Sequence, residues 1–341
     1  MVTKRFSAIV GHTIEMALTT IIPCPACEAN HARPSYPSTF PGSPWVYRCP
    51  DCGYGFVADP DALQTVGAMY EDAYTASEDA HRKNQRLSRD YFRKARPFLG
   101  GEGRLLEVGG ACGWFAQLAQ DETRLSVVLV EPGRSAVESA RKRGLEAYCG
   151  FFSEGTPVGE FEVIFSGHVV EHVFDIDAFL RACYTHLSPG GTLLLLTPNA
   201  DAWKYRLFHS GWAWAAPGEH TLFLTAVAAE RVLSKNGFRN IRVTGVSPAM
   251  GHYPYFLTRL LSGWYRRLGG RKTPLPAPLP SESRGKPGKP PERLQPLRRL
   301  GRLILWAEYL ALRSVDGLLG KRRRDELLIV AERPGSLPPE S

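Results

Sequence analysis

Four cysteines stand as two C-x-x-C pairs, Cys24-Pro-Ala-Cys27 and Cys49-Pro-Asp-Cys52, with 21 residues between the pairs. Four thiolates carried on two paired turns give the tetrahedral shell that structural zinc prefers. A closed four-sulfur shell leaves no open position for a reacting group, so such a metal is structural. Gly53 follows the second knuckle, where backbone amides can hydrogen-bond to sulfur. The bland alternative is a set of redox or vestigial thiols. The other cysteines, Cys112, Cys149 and Cys183, lie in apolar contexts and read as buried free thiols.

A second constellation is the stretch LLEVGGACGWF, residues 105–115, in which Glu107 closes an apolar strand just ahead of Gly109, Gly110 and Gly113. Glycines there allow a backbone to come close to a ligand, and a carboxylate offers acceptor oxygens to the ligand's donors. Glu131 and Pro132 end the next strand, VVLVEP. A carboxylate at that place can hold both hydroxyls of a ribose, in a dinucleotide or in an adenosyl compound. The glycine pattern separates the two: a dinucleotide turn is G-x-G-x-x-G, whereas here Ala111 interrupts the run. An acid ahead of the turn suits a cationic ligand end and repels phosphate.

Histidines supply the candidate bases. His168, Glu171 and His172 form H-V-V-E-H, and Glu219-His220 form a second pair within PGEHTLF. Histidine is the usual proton acceptor near neutral pH. The first string also matches a metalloprotease motif, H-x-x-E-H, but it follows a strand instead of lying in a helix. Structural hydrogen bonds that cap loops are the alternative for both histidines.

The elements that must position these groups alternate along the chain. RLLEVGG, LSVVLVEP, FEVIFS, TLLLLTPN and NIRVTGVSP read as strands; GWFAQLAQ, SAVESARKRG, DIDAFLRACYTHL and AVAAERVLSKNGF read as helices, the third of them ended by SPGG. This alternation predicts an α/β fold with a Rossmann-like parallel sheet covered on both faces. DELLIVAERP, near the end, reads as an antiparallel last strand reached after a long insertion. The expected organisation is a tail over 1–20, a zinc-ribbon module over 21–60, a helical linker or lid over 61–98, a core over 99–250, a basic helical insertion with a Pro-rich linker over 251–324, and the last strand and tail over 325–341.

At 341 residues the chain can bury a full core, and no apolar run is long enough to span a membrane. His12 and Glu15 interrupt the apolar stretch near the start, which argues against a signal peptide and for a cytoplasmic location. The formal net charge is +8, yet Arg259 to Arg324 alone holds 17 Lys+Arg against 4 Asp+Glu, so the rest of the chain is mildly acidic. Two apolar-aromatic stretches with arginines at their ends flank the Pro-rich join. A basic amphipathic unit of this kind can lie peripherally on a membrane, or fold back onto the domain with a solvated basic face. Nucleic acid is less favoured, because the cations interleave with long aliphatics.

Taken together, the motifs resemble the class I S-adenosylmethionine-dependent methyltransferases over about residues 100–250. LLEVGGACGWF is similar to their first motif and LVEPGRSAVESARKRG to their second-strand motif; FEVIFSGHVVEHVFDIDAFLRACYTHLSPGGTLLLLTPN is similar to their fourth and fifth strands with the helix between. The resemblance implies that Gly109 and Gly113 flank the amino acid part of the cofactor and Glu131 the ribose. Phe151 or Phe152 would flank the adenine, and Ser166, Gly167 and His168 would line the methyl-facing side. Quinone O-methyltransferases carry a metal-linked E-x-x-E-H at the H-V-V-E-H position, where His168 replaces the first Glu. YRCPDCGYGFVADPDALQTVGAMYEDAY resembles enzymes with an N-terminal zinc module that modify sugars or surface glycans. The implied function is methyl transfer from S-adenosylmethionine to a small-molecule acceptor, a sugar or glycan precursor, at oxygen or carbon. Base candidates are His220, His172 and Glu219. An RNA methyltransferase guided by the ribbon, and a non-catalytic scaffold of the same fold, are the alternatives.

Overall fold

The computed structural model describes residues 21–37, 45–58, 78–208, 220–247, 310–311 and 314–335. Glu219 and most of the basic insertion lie outside them, as do residues 209–218, residues 61–77 of the expected linker or lid, and the tail over 1–20.

Seven strands form the main sheet, in the order β10-β11-β8-β7-β4-β5-β6. They are β4 (Glu102–Val108), β5 (Arg124–Glu131), β6 (Glu146–Cys149), β7 (Phe161–Gly167), β8 (Leu187–Pro198), β10 (Arg239–Val246) and β11 (Glu326–Glu332). β4 to β8 pair in parallel, and β11 enters antiparallel between β8 and β10. The last strand in sequence is therefore an interior strand of the sheet. Its run ELLIVA, buried throughout, fits that place.

Alternation along the strands divides the core into two layers. Leu105, Leu129, Val163, Phe165 and Leu194 face one side. There they meet α1 (Glu78–Ala95), α2 (Trp114–Glu122) and α3 (Arg134–Arg141) through Phe92, Phe115 and Val137. Leu106, Val108, Ile164, Leu193 and Leu195 face the other side. They meet α4 (Ile176–His186) and α6 (Ala226–Lys235) through Leu180, Ala228 and Val232. Local chemistry fixes the helix starts: Asp175 accepts the Ala178 N–H at 2.9 Å, and Thr225 accepts that of Ala228 at 3.0 Å. The short helix α5 (Trp203–Phe208) follows β8.

The helix α4 ends at His186, one residue before SPGG, as the sequence reading expects. The strand β8 nevertheless starts at Leu187, so SPGG falls inside it. Phe161 opposes Leu187 and Val163 opposes Thr192, so SPGG fills the register slip between them, and Gly190 and Gly191 exchange backbone hydrogen bonds with Arg333.

A second, antiparallel sheet has the order β1-β2-β3-β9. β1 (Arg33–Pro37), β2 (Trp45–Arg48) and β3 (Gly55–Val57) come from the cysteine-bearing segment, whereas β9 (Leu222–Phe223) follows His220. Tyr54 and Phe56 pack in the same apolar cluster as Leu222, Leu224 and Ala228, so the ribbon has no core separate from that of the domain.

Candidate functional site

The parallel strands β4, β5, β7 and β8 all end at one edge of the sheet, and the polar side chains gather there. At the tip of β4 the turn is built by the chain's own packing. Gly109 has φ 72°, and a Cβ on it would come within 2.3 Å of Val169. A Cβ on Gly110 would lie 2.3 Å from the Glu107 carboxyl. Glu107 itself is turned inward: it is buried and accepts the Ala116 N–H at 2.9 Å, in the first turn of α2. Burial pushes its carboxyl up to about 8, with the nearby Glu131 adding to the rise. Gly113 takes φ 71° as the residue ahead of α2.

Glu131, at the tip of β5, accepts the Ala111 N–H on one oxygen and the Gly133 N–H on the other, each at 2.9 Å. Each oxygen keeps a further acceptor site for a ribose hydroxyl. Pro132 follows it, half-buried. Phe151, just past β6, is 56% exposed, an apolar ring offered to solvent at this same edge. Phe152 instead packs inward on Phe179 and His186. An acidic ribose holder, a glycine turn and an exposed ring fit an adenosyl ligand. Ser166 is buried and donates to the Val108 carbonyl at 3.2 Å, tying β7 to β4, and Gly167 ends β7.

Beyond β7 the chain forms a chain of charges that alternate in sign. Lys94 of α1 contacts Asp90 at 2.6 Å and Glu326 at 2.7 Å. Glu326 lies 3.3 Å from His168 Nε2, and His168 Nδ1 lies 3.0 Å from Glu171. Thr197 donates to the other Glu171 oxygen at 3.0 Å. His168 sits in the left-handed region, φ 57°, and stacks on Tyr91. Burial by itself would lower its pKa, but the charges of Glu171 and Glu326 outweigh burial and raise it to about 9. His168 is therefore an imidazolium at neutral pH. Burial likewise works against the Glu171 charge, but His168, His172 and His220 hold its pKa at about 2. None of Asp90, Lys94 and Glu326 was singled out from the sequence; each is distant from His168 along the chain.

Glu171, His172 and His220 bring their ligand atoms within 4.8 Å of one another. The two imidazoles meet edge to face, with centroids 4.6 Å apart. Two histidines beside a buried carboxylate anion can accept a proton and stabilise the resulting imidazolium, and the same donors suit a divalent cation. Glu219, the remaining base candidate, lies outside the described residues.

The four cysteines converge as their spacing requires. Cys24 and Cys52 sulfurs are 3.6 Å apart, as are those of Cys27 and Cys49. A tetrahedron with metal–sulfur bonds of about 2.3 Å has edges of about 3.8 Å, so the set fits one zinc ion.

Residues 80–243 match the family described as a methyltransferase domain. Over that range, a little under half of its length, the chain is similar to methyltransferases. Among curated relatives, a ubiquinone biosynthesis O-methyltransferase of Bradyrhizobium sp. (strain ORS 278) is 33% identical over 109 residues, 30% of this chain and 42% of that one. The enzyme of the same description from Parvibaculum lavamentivorans is 30% identical over 170 residues, 46% of this chain and 65% of that one. A solved SAM-dependent methyltransferase from Archaeoglobus fulgidus overlays 73% of this chain and 94% of that one, at 14% identity and a TM-score of 0.45. The chain spans less than half the length of the first curated relatives it matches. The matched range supplies the sheet edge on which the cofactor groups and the His-Glu cluster lie.

Proposed function

We propose that the protein transfers a methyl group from S-adenosylmethionine to a hydroxyl of a small-molecule acceptor. The observation that carries this reading is the Glu171–His172–His220 group at the carboxyl edge of the methyltransferase sheet. The cofactor supplies an electrophilic methyl on a good leaving group, so the chain has to hold two partners in line and remove a proton. Gly109, Gly113, Glu131 and Phe151 hold the cofactor. His220, assisted by His172, accepts the acceptor's proton, and Glu171 stabilises the cation so formed. Cys24, Cys27, Cys49 and Cys52 hold a structural zinc.

The relatives' names concern O-methylation in ubiquinone biosynthesis and none concerns a sugar. This favours an oxygen acceptor. The sugar or glycan reading rests on the resemblance of the cysteine-bearing segment alone.

Incubation of the purified protein with methyl-labelled S-adenosylmethionine tests the proposal, with three acceptor pools: hydroxylated aromatic small molecules, sugar nucleotides and RNA. Label is expected in a small-molecule pool as a methyl ether. Label confined to RNA, or no binding of the cofactor at all, would overturn it.

A further inference from the structure

The cysteine ribbon touches the base-bearing loop through a continuous run of hydrogen bonds. Val57, at the end of β3, donates its N–H to the Thr221 carbonyl at 2.8 Å. Thr221 donates its own N–H to the Glu171 carbonyl at 2.8 Å. Its hydroxyl lies 3.1 Å from the same carbonyl and 2.6 Å from that of Val173. Thr221 is thus held between the ribbon and the Glu171–His172 loop, with His220 as its immediate neighbour.

A second link starts at the cysteine knuckle. The Thr225 hydroxyl donates to the Cys52 carbonyl while accepting the Ala228 N–H that begins α6. Gly53, φ 70°, brings the knuckle so close that a Cβ there would stand 2.8 Å from the Thr225 methyl. Between the two links β9 pairs with β3, Gly55 against Phe223 and Phe56 against Leu222. Thr221 through Thr225 is therefore fastened at both ends and in the middle to the segment that carries the four cysteines.

We propose that Thr225 and the β3–β9 pairing are positioning elements that set the place of His220, so that metal held by the cysteines governs acceptor turnover without touching the cofactor. The inference rests on the assignment of His220 to the base-bearing group. The cofactor turn is served by different neighbours: Gly109, Ala111 and Gly113 contact Val169, Glu131 and Leu145, none of which belongs to the ribbon. Loss of the metal loosens the 220–225 segment and leaves that turn in place. A zinc site that cannot take part in bond making thereby acquires a kinetic role.

Hydrogen exchange on the full chain, before and after removal of metal by a chelator and again after zinc is restored, tests the coupling without any acceptor. Amides of 221–225 are expected to exchange roughly tenfold faster without metal, as in local opening, while those of 109–116 stay protected. Calorimetry should find the S-adenosylmethionine affinity within about twofold of the starting value. Thr225→Val should lower kcat by about 100-fold with KM for the acceptor little changed, the scale of a misplacement of about 1 Å. Thr225→Ser, which keeps the hydroxyl, should restore it. Unchanged exchange at 221–225 on metal removal overturns the coupling whatever the acceptor proves to be. Parallel loss of protection at 109–116 also overturns it, since the metal would then support the whole fold. Normal coupling with full activity in a His220→Ala variant would instead refute the base assignment and leave the mechanical link standing.

Discussion

Ala111 donates its backbone N–H to the Glu131 carboxylate at 2.9 Å, across the tips of two neighbouring strands. It does so from φ 48°, a left-handed conformation in which its Cβ is crowded. The turn therefore holds strain in order to aim a donor at the residue that would hold the ribose. Ala111→Gly should relieve about 1 kcal/mol and raise the denaturation midpoint. Chemical denaturation of the two proteins checks it, and a lower midpoint for the glycine variant would show that the alanine methyl packs better than its backbone is strained.

Removing the acceptor has the opposite sign. Glu131→Ala should weaken S-adenosylmethionine binding by about 1.5–3 kcal/mol, the worth of charge-assisted hydrogen bonds. Isothermal calorimetry measures this directly, and equal affinities would reassign the carboxylate to building the turn alone.

Glu107 makes the stability depend on pH. Its folded pKa is raised by burial to about 8, above the ordinary 4.5. Between those two values the folded state binds more protons than the unfolded one, so its contribution to stability falls as pH rises across the window. Glu107→Gln keeps an acceptor for the Ala116 N–H and does not titrate. The stability of this variant relative to the parent should therefore increase from pH 4.5 to 8 and level off above. Denaturation curves at several pH values would show a flat difference if the carboxyl were solvated.

The four cysteines should hold one zinc per chain, measurable by elemental analysis of protein purified without chelator. Cys49→Ser should lower the stability of the ribbon, because binding free energy in such a site is folding free energy. A variant that lost metal and kept its melting profile would show that the apolar packing of Tyr54 and Phe56 is sufficient.

His220→Ala should reduce turnover by about 10²–10⁴-fold, the usual contribution of a positioned base, with cofactor affinity nearly intact. Steady-state kinetics and calorimetry on the same preparation separate the two effects.

Much of the sheet could be read from the chain because its central strands are uninterrupted apolar runs, VVLV in β5 and LLLL in β8. Such runs have few other ways to be buried. The groups at the strand ends were legible as residue types; their partners were not. His168 gave no sign in sequence of being a fixed cation, since Glu326 and Lys94 reach it from the last strand and from α1. β9 is only two residues long and is a strand because β3 offers it an edge. Glycines 109 and 110 were expected to let the backbone come close to a ligand; not legible was that the places of their missing side chains face Val169 and Glu107, so the chain's own packing calls for glycine as well. SPGG marked the end of α4 correctly, and only the start of β8 ahead of it, at Leu187, was not legible. Among the described residues no helix is long and apolar enough to cross a membrane.

The four-stranded sheet has a consequence for how the protein comes into being on the ribosome. β3 ends at Val57, but the strand that completes its edge starts only at Leu222. At a synthesis rate of about 5–20 residues per second, the ribbon waits on the order of ten seconds or more with that edge unpaired. An unpaired edge is open to strands of other nascent chains. Early capture of zinc by the two knuckles would keep the short hairpin compact during this interval. A chain made under metal starvation would meet its own middle too late, and its hazard would be aggregation before any loss of catalysis.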